Sequence, residues 1–162
     1  MFSRRKRLAL RPRVTTPDLR TILQDALSFE GGASSDFDLN ADVFLPEGRK
    51  LTPASVLIAV RETTGTIILT RRSARLKHHA GQIAFAGGKQ DPTDAGPVEA
   101  ALREAHEEIG LDPAQVDIIG TLPMHETVTG YAITPVVAIV RGIFDPLPEE
   151  GEVSEVFEVP LS

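Results

Sequence analysis

The sequence predicts an α/β domain in which a mixed β-sheet packs between helices. Three observations carry this expectation. Residues 55–60 (SVLIAV) and 66–70 (TIILT) are apolar and β-branched, and Gly65 between them marks a hairpin. Residues 98–109 follow as a helix, with Val98, Leu102, Ala105 and Ile109 as its apolar stripe and Gly110 as its C-cap. Two more strand-like runs, 116–122 and 133–140, come after it, so strands lie on both sides of a central helix.

The remaining elements follow in order. Residues 16–28 read as a helix, with Thr16 as N-cap, Pro17 in the first turn, and a stripe of Leu19, Ile22, Leu23, Ala26 and Leu27. Residues 31–53 carry Gly, Ser, Asp and Pro clusters and read as a loop-rich connection. Residues 82–85 form a short strand entering a glycine turn. Residues 123–132 read as a loop, and 152–159 as a last strand or a helical turn. Phe85 is assigned to the core. No repeat marks a second domain, so residues 14–162 are expected to form one domain behind a basic arm at 1–13.

That arm holds six Lys or Arg and no acid, leaving the remaining chain with 11 basic against 23 acidic residues. So acidic a body argues against a broad nucleic-acid surface. The arm lacks the apolar run of a secretory signal, since Leu8-Ala9-Leu10 is too short. It is Arg-rich and acid-poor like a mitochondrial presequence, but Ser-poor, and a solvated arm is the expectation. No run is long enough to span a membrane. The chain has no cysteine, which excludes disulfides and thiolate metal sites and fits a reducing cytoplasm, the expected compartment.

The chemistry is concentrated in residues 87–111, GGKQDPTDAGPVEAALREAHEEIGL. Glu104, Glu107 and Glu108 are spaced i, i+3, i+4, which places three carboxylates on one side of a helix. Crowded like charges destabilise a bare helix and make sense around a hard divalent cation. A cation beside the glycine pair Gly87-Gly88, where a ligand can approach backbone closely, suits chemistry on phosphate esters.

This segment resembles the Nudix box, G-x5-E-x7-R-E-U-x-E-E-x-G-U with U apolar. Gly88, Arg103, Glu104, Glu107, Glu108, Gly110 and Leu111 match. The first acidic position is Asp94, and eight residues separate it from Arg103. Both departures resemble the coenzyme A diphosphatase branch. So does the preceding LTRRSARLKHHAGQIAFAGG, residues 69–88, which is similar to L-L-T-x-R-S-x-x-L-R-x-H-x-G-Q-I-A-F-P-G-G. There Lys77 stands for an Arg, keeping the charge without the bidentate fork, and Ala86 stands for the Pro before the glycines.

The resemblance implies an α/β/α Nudix sandwich and an Mg2+- or Mn2+-dependent hydrolase of the diphosphate in coenzyme A or its thioesters. The products implied are 3′,5′-adenosine bisphosphate and a 4′-phosphopantetheine species. It makes Glu104 and Glu108 metal ligands and Glu107 a third ligand or a base, with Arg103 orienting the glutamates. Gly87, Gly88 and Lys89 would meet the diphosphate. Arg72, Lys77 and His79 would supply cationic contacts to the phosphates, and Gln82 would shape the pocket. Glu126 and Glu152 are further candidates for the base. Asp91 and Asp94 are expected to cap the helix. Branch members continue past the Val159-Pro160-Leu161 motif, and homodimerisation is left open. Rival readings are another Nudix substrate (ADP-ribose, NADH or a dinucleoside polyphosphate) and an inactive Nudix-fold binding module.

Overall fold

A computed structural model describes residues 18–29, 31–39, 42 and 48–161. Helix α1, Leu19–Leu27, comes first. Its N-cap is Asp18, whose Oδ1 accepts from the Thr21 amide at 2.8 Å, in place of the expected Thr16. Thr16, Pro17 and the basic arm lie outside the described residues. Leu23 is the buried centre of the helix, with Leu19 and Leu27 beside it. Ile22 and Ala26 are exposed, so the stripe narrows to i, i+4, i+8.

The sheet is built on two ten-residue strands, β2 (Thr52–Arg61) and β8 (Tyr131–Val140), which run parallel along their whole length. Both are covered on two faces, which is why they read as continuous apolar runs. On one face Leu57, Ala59, Val136, Ala138 and Val140 pack with Ala101, Ala105 and Ile109 of helix α2, Pro97–Ile109. On the other, Val60, Val137 and Ile139 pack against Leu23 of α1. The expected mixed sheet between helices is therefore present.

Strand β3 (Thr66–Arg72) completes the predicted hairpin with β2 and pairs antiparallel with β9 (Val153–Pro160), which settles the last element as a strand. Beyond β8 lie β6 (Val116–Thr121) and β7 (His125–Glu126), both antiparallel to it. The expected loops at 31–53 and 123–132 each contribute a short strand, because β1 (Ser34–Ser35) pairs parallel with β7.

The glycine turn is also a strand. β4 (Ile83–Ala84) pairs with the end of β3, and β5 (Ala86–Lys89) pairs antiparallel with Ala54–Leu57 of β2. Glycines inside a strand mark close approach of neighbouring groups, and here those neighbours are the site. Phe85, between β4 and β5, is half-buried and belongs to neither core cluster.

Candidate active site

Helix α2 carries the acidic residues and starts without a side-chain cap. Gly96 is its N-cap, and the Glu99 carboxylate takes the Ala95 amide. The expected capping by Asp91 and Asp94 is replaced by a clamp. Asp94 accepts from Arg103 Nε at 3.1 Å and from Nη2 at 3.0 Å, and takes the Asp91 amide at 2.8 Å. This bidentate geometry holds the Asp94 carboxyl below its ordinary range, the Arg103 hydrogen bonds being the main cause. Arg103 also donates to Glu104 Oε1 at 2.9 Å, Glu107 Oε2 at 3.1 Å and the Lys89 carbonyl at 3.0 Å. One guanidinium thus ties helix, β5 and the β5–α2 loop together. The helix ends at Gly110, whose φ of 70° needs no Cβ there.

Glu108 is not on a solvated flank. Its side chain is 6% exposed, and Oε2 accepts the Gly87 amide at 3.1 Å. Burial pushes its carboxyl up to about 7, helped by the charges of Glu104 and Glu152. The Gly87 amide and Arg72 oppose the rise. Glu104 is also raised, by burial first, against the pull of Arg103.

The glycine pair is fixed by space. A Cβ on Gly88 would sit 2.6 Å from the Glu104 carboxyl carbon, and one on Gly87 would sit 2.2 Å from the Ser55 carbonyl. Glu104 and Glu108 therefore rest directly on the backbone of β5. Behind that backbone opens a cleft of about 390 Å³, lined in part by Arg72, His79, Gln82, Gly87, Gly88 and Lys89.

Residues 51–162 match the NUDIX domain. The chain belongs to the Nudix family. It is 50% identical over 110 residues to the uncharacterized Nudix hydrolase NudL of Citrobacter koseri, covering 67% of this chain and 57% of that relative, so it spans little over half of that protein's length. The NudL of Escherichia coli O139:H28 is 45% identical over 136 residues, 76% of this chain and 71% of that one. Among solved structures, the MutT protein of Methanosarcina mazei is 26% identical with a TM-score of 0.56, covering 72% of this chain and 81% of that chain. An Ap4A hydrolase of C. elegans has a TM-score of 0.57 at 20% identity, over 67% of this chain and 80% of that one, a likeness of fold.

Against this Nudix frame the sequence candidates separate. Glu104 and Glu108 meet at the glycine pair. Glu107 stands apart, half-exposed and turned to Arg103. Arg72 points inward: its Nη1 is 4.0 Å from Glu108 Oε1, and its buried Nε has no hydrogen-bond partner among the described residues. The 73–82 loop is cinched to the end of β3, with the Arg72 amide on the Gln82 carbonyl at 2.9 Å and the Gly81 amide on the Arg72 carbonyl at 3.1 Å. His79 sits on that loop with φ 56°, 3.0 Å from Gln82 Oε1. Lys77 is exposed and does not line the cleft. Of the two further base candidates, Glu152 bears on Glu108, whereas Glu126 is paired with Arg49.

Sequence reasoning missed four features: the Asp94 clamp, Asp36, the Thr127–Thr129 turn and Tyr131, the last three on the cleft wall. The chain's single tyrosine was the available signal for Tyr131. Asp36 reaches the cleft through the β1–β7 pairing, which no local pattern announces.

The carboxylates fit a divalent cation. Among the described residues no three His, Asp or Glu side chains already converge on one point. Yet Glu104 and Glu108, one helical turn apart, are both driven toward protonation by burial first, the charge of Glu104 adding to the rise of Glu108 and those of Glu107 and Asp91 to the rise of Glu104. Hard oxygen donors with unrelieved like charge are what Mg2+ or Mn2+ relieves. Ser55 Oγ, wholly buried and without a hydrogen-bond partner among the described residues, is on the same face of the sheet, since Ser55 pairs with Gly88.

Proposed function

We propose that this chain hydrolyses the diphosphate linkage of coenzyme A or its thioesters in the presence of Mg2+ or Mn2+. The observation that carries the reading is the pair Glu104 and Glu108 seated on Gly87-Gly88, whose backbone also lines the cleft that holds Arg72, His79 and Lys89. A carboxylate pair that would hold a hard cation adjoins cationic side chains that would hold phosphate. Residues 69–88, which resemble the coenzyme A diphosphatase branch, supply Arg72 and His79, which favours coenzyme A among diphosphate substrates.

A divalent cation held by Glu104 and Glu108 would neutralise diphosphate charge and acidify a bound water. The protein's own contributions are positional. Arg103, locked by Asp94, fixes the rotamer of Glu104 through its 2.9 Å bond. The Gly87 amide fixes Glu108. Arg72 Nε, which has no hydrogen-bond partner among the described residues, and the Lys89 ammonium are donors for phosphate oxygens, and such preorganised charge is the main source of acceleration in phosphoryl chemistry. Glu152, whose charge reaches Glu108, is the better placed of the two further base candidates.

The reading is tested by incubating the purified chain with Mg2+ or Mn2+ and coenzyme A, dephospho-coenzyme A, ADP-ribose or NADH, then separating the products. Preferred cleavage of coenzyme A to 3′,5′-adenosine bisphosphate and 4′-phosphopantetheine is expected. Better use of ADP-ribose would discard the coenzyme A assignment and keep diphosphate hydrolysis. No turnover on any substrate would favour a binding module.

A further inference from the structure

The cleft has two unlike ends. In the order of paired strands, its lining runs from β4 and the end of β3, through β5, β2 and β8, to the residues that directly follow β7 and β1, Thr127–Thr129 and Asp36. Ala54 sits mid-row, paired with Lys89 on β5 and with Ile133 on β8, and Ile133 pairs in turn with His125. Strands about 4.8 Å apart put β1 roughly 19 Å from β5. Arg72 and His79 stand at the first end, and Lys89 lies one strand from the centre, its Nζ 5.9 Å from the Tyr131 ring. The floor between is apolar: Ala54, Val56, Ile133 and Tyr131.

At the far end stands Asp36. Its Oδ2 accepts the Val128 amide at 2.8 Å, and its Oδ1 lies 3.0 Å from His125 Nε2. The backbone bond first, and the His125 bond second, hold this carboxyl below its ordinary range. An ionised carboxylate only accepts, so His125 Nε2 carries its proton, and Nδ1 faces Ser34 Oγ at 2.8 Å. Asp36 is therefore a fixed negative charge, pinned from both β7 and the β7–β8 turn.

We propose that this far end is a subsite for the uncharged arm of the substrate, with Asp36 repelling negative charge at the arm's tip. The proposal rests on the coenzyme A reading. The arm is then the pantetheine chain with its acyl group, and the 3′-phosphoadenosine lies toward the basic end at 71–79. Amide and hydroxyl donors along the arm meet the remaining lone pairs of Asp36 and the hydroxyls of Thr127 and Thr129. A thioester whose acyl group ends in a carboxylate brings like charge to Asp36 and is disfavoured.

The test compares kcat/KM for acetyl-coenzyme A and succinyl-coenzyme A in the wild type, Asp36→Asn and Val128→Lys. Val128 is 64% exposed, so its lysine adds positive charge at this end without removing an Asp36 acceptor. At low ionic strength the wild type is expected to prefer the acetyl ester by roughly three- to tenfold. Both variants should shrink that ratio, and about 0.5 M salt should shrink it in the wild type. If Asp36→Asn fails to fold, Val128→Lys decides. An unchanged ratio in a wild type and variants that do cleave coenzyme A overturns the subsite and leaves the coenzyme A reading standing. A wild type that cleaves other diphosphates but no coenzyme A species overturns both.

Discussion

Replacing Glu108 with Gln should stabilise the metal-free protein at alkaline pH while removing its activity. Glu108 titrates at about 7 in the folded protein, against an ordinary value of 4.5. Between those values the folded protein keeps a proton that the unfolded chain has released, so stability falls as pH rises through this window. A gap of about 2.5 pH units, at about 1.36 kcal/mol each, makes the full cost about 3 kcal/mol above pH 7. Gln keeps an oxygen for the Gly87 amide and carries no charge. Allowing for relaxation around the carboxylate, the variant should gain about 1–3 kcal/mol at about pH 8, or roughly 3–10 °C in Tm. The assay is thermal unfolding in chelator at about pH 5 and about pH 8 and constant ionic strength. At the lower pH the advantage should shrink to about a quarter of its value at the higher pH, because most of the cost accrues between the two. Saturating Mg2+ at the higher pH should raise the wild type and leave Glu108→Gln nearly unmoved. A variant less stable than wild type at both pH values, or an advantage equal at both, would refute the claim that burial of this charge is a cost that a cation offsets.

Other expectations concern positions around the pair. Gly88→Ala places a methyl 2.6 Å from the Glu104 carboxyl carbon, so steady-state kinetics should show kcat reduced by roughly 100-fold with the far-ultraviolet circular dichroism retained. Asp94→Asn unlocks Arg103 and should lower kcat/KM by roughly tenfold, with a lower Tm at neutral pH. The Tm difference from wild type should narrow in acid, since a depressed carboxyl stabilises above its ordinary range and loses that contribution as pH falls through its lowered value. Arg72→Ala should raise KM for coenzyme A more than Lys77→Ala does, because only Arg72 lines the cleft; equal effects would place the substrate over the 73–82 loop.

The elements with strong local periodicity were legible in the sequence. Residues 55–60, 66–70, 98–109, 116–122 and 133–140 all became the strands and helix expected, and Gly110 capped the helix as predicted. What local pattern could not show was set by pairing at a distance. Gly87 and Gly88 looked like a turn because glycine is usually a turn residue; their partners Val56 and Ser55, some thirty residues away, make them a strand. Asp94 looked like a cap because acids favour helix starts, but the Arg103 fork nine residues on outcompeted the helix amides. Ser34–Ser35 and His125–Glu126 are too short to show alternation, so their parallel pairing, and with it the position of Asp36, was invisible. The grouping of Glu104, Glu108 and Arg103 with the glycine pair was readable from their spacing and motif. The burial of Glu108 was not, because helical spacing alone set it off the apolar stripe.

The central claim is that Glu104 and Glu108 form one cation-dependent hydrolytic centre. Its most direct test is product formation from coenzyme A by wild type, Glu104→Gln and Glu108→Gln, side by side, with Mg2+ or Mn2+ and with chelator. The wild type should release 3′,5′-adenosine bisphosphate only when metal is present, and each variant should lose roughly a thousandfold or more in kcat while still binding nucleotide. Turnover that survives in either variant, or that proceeds in chelator, would contradict the account.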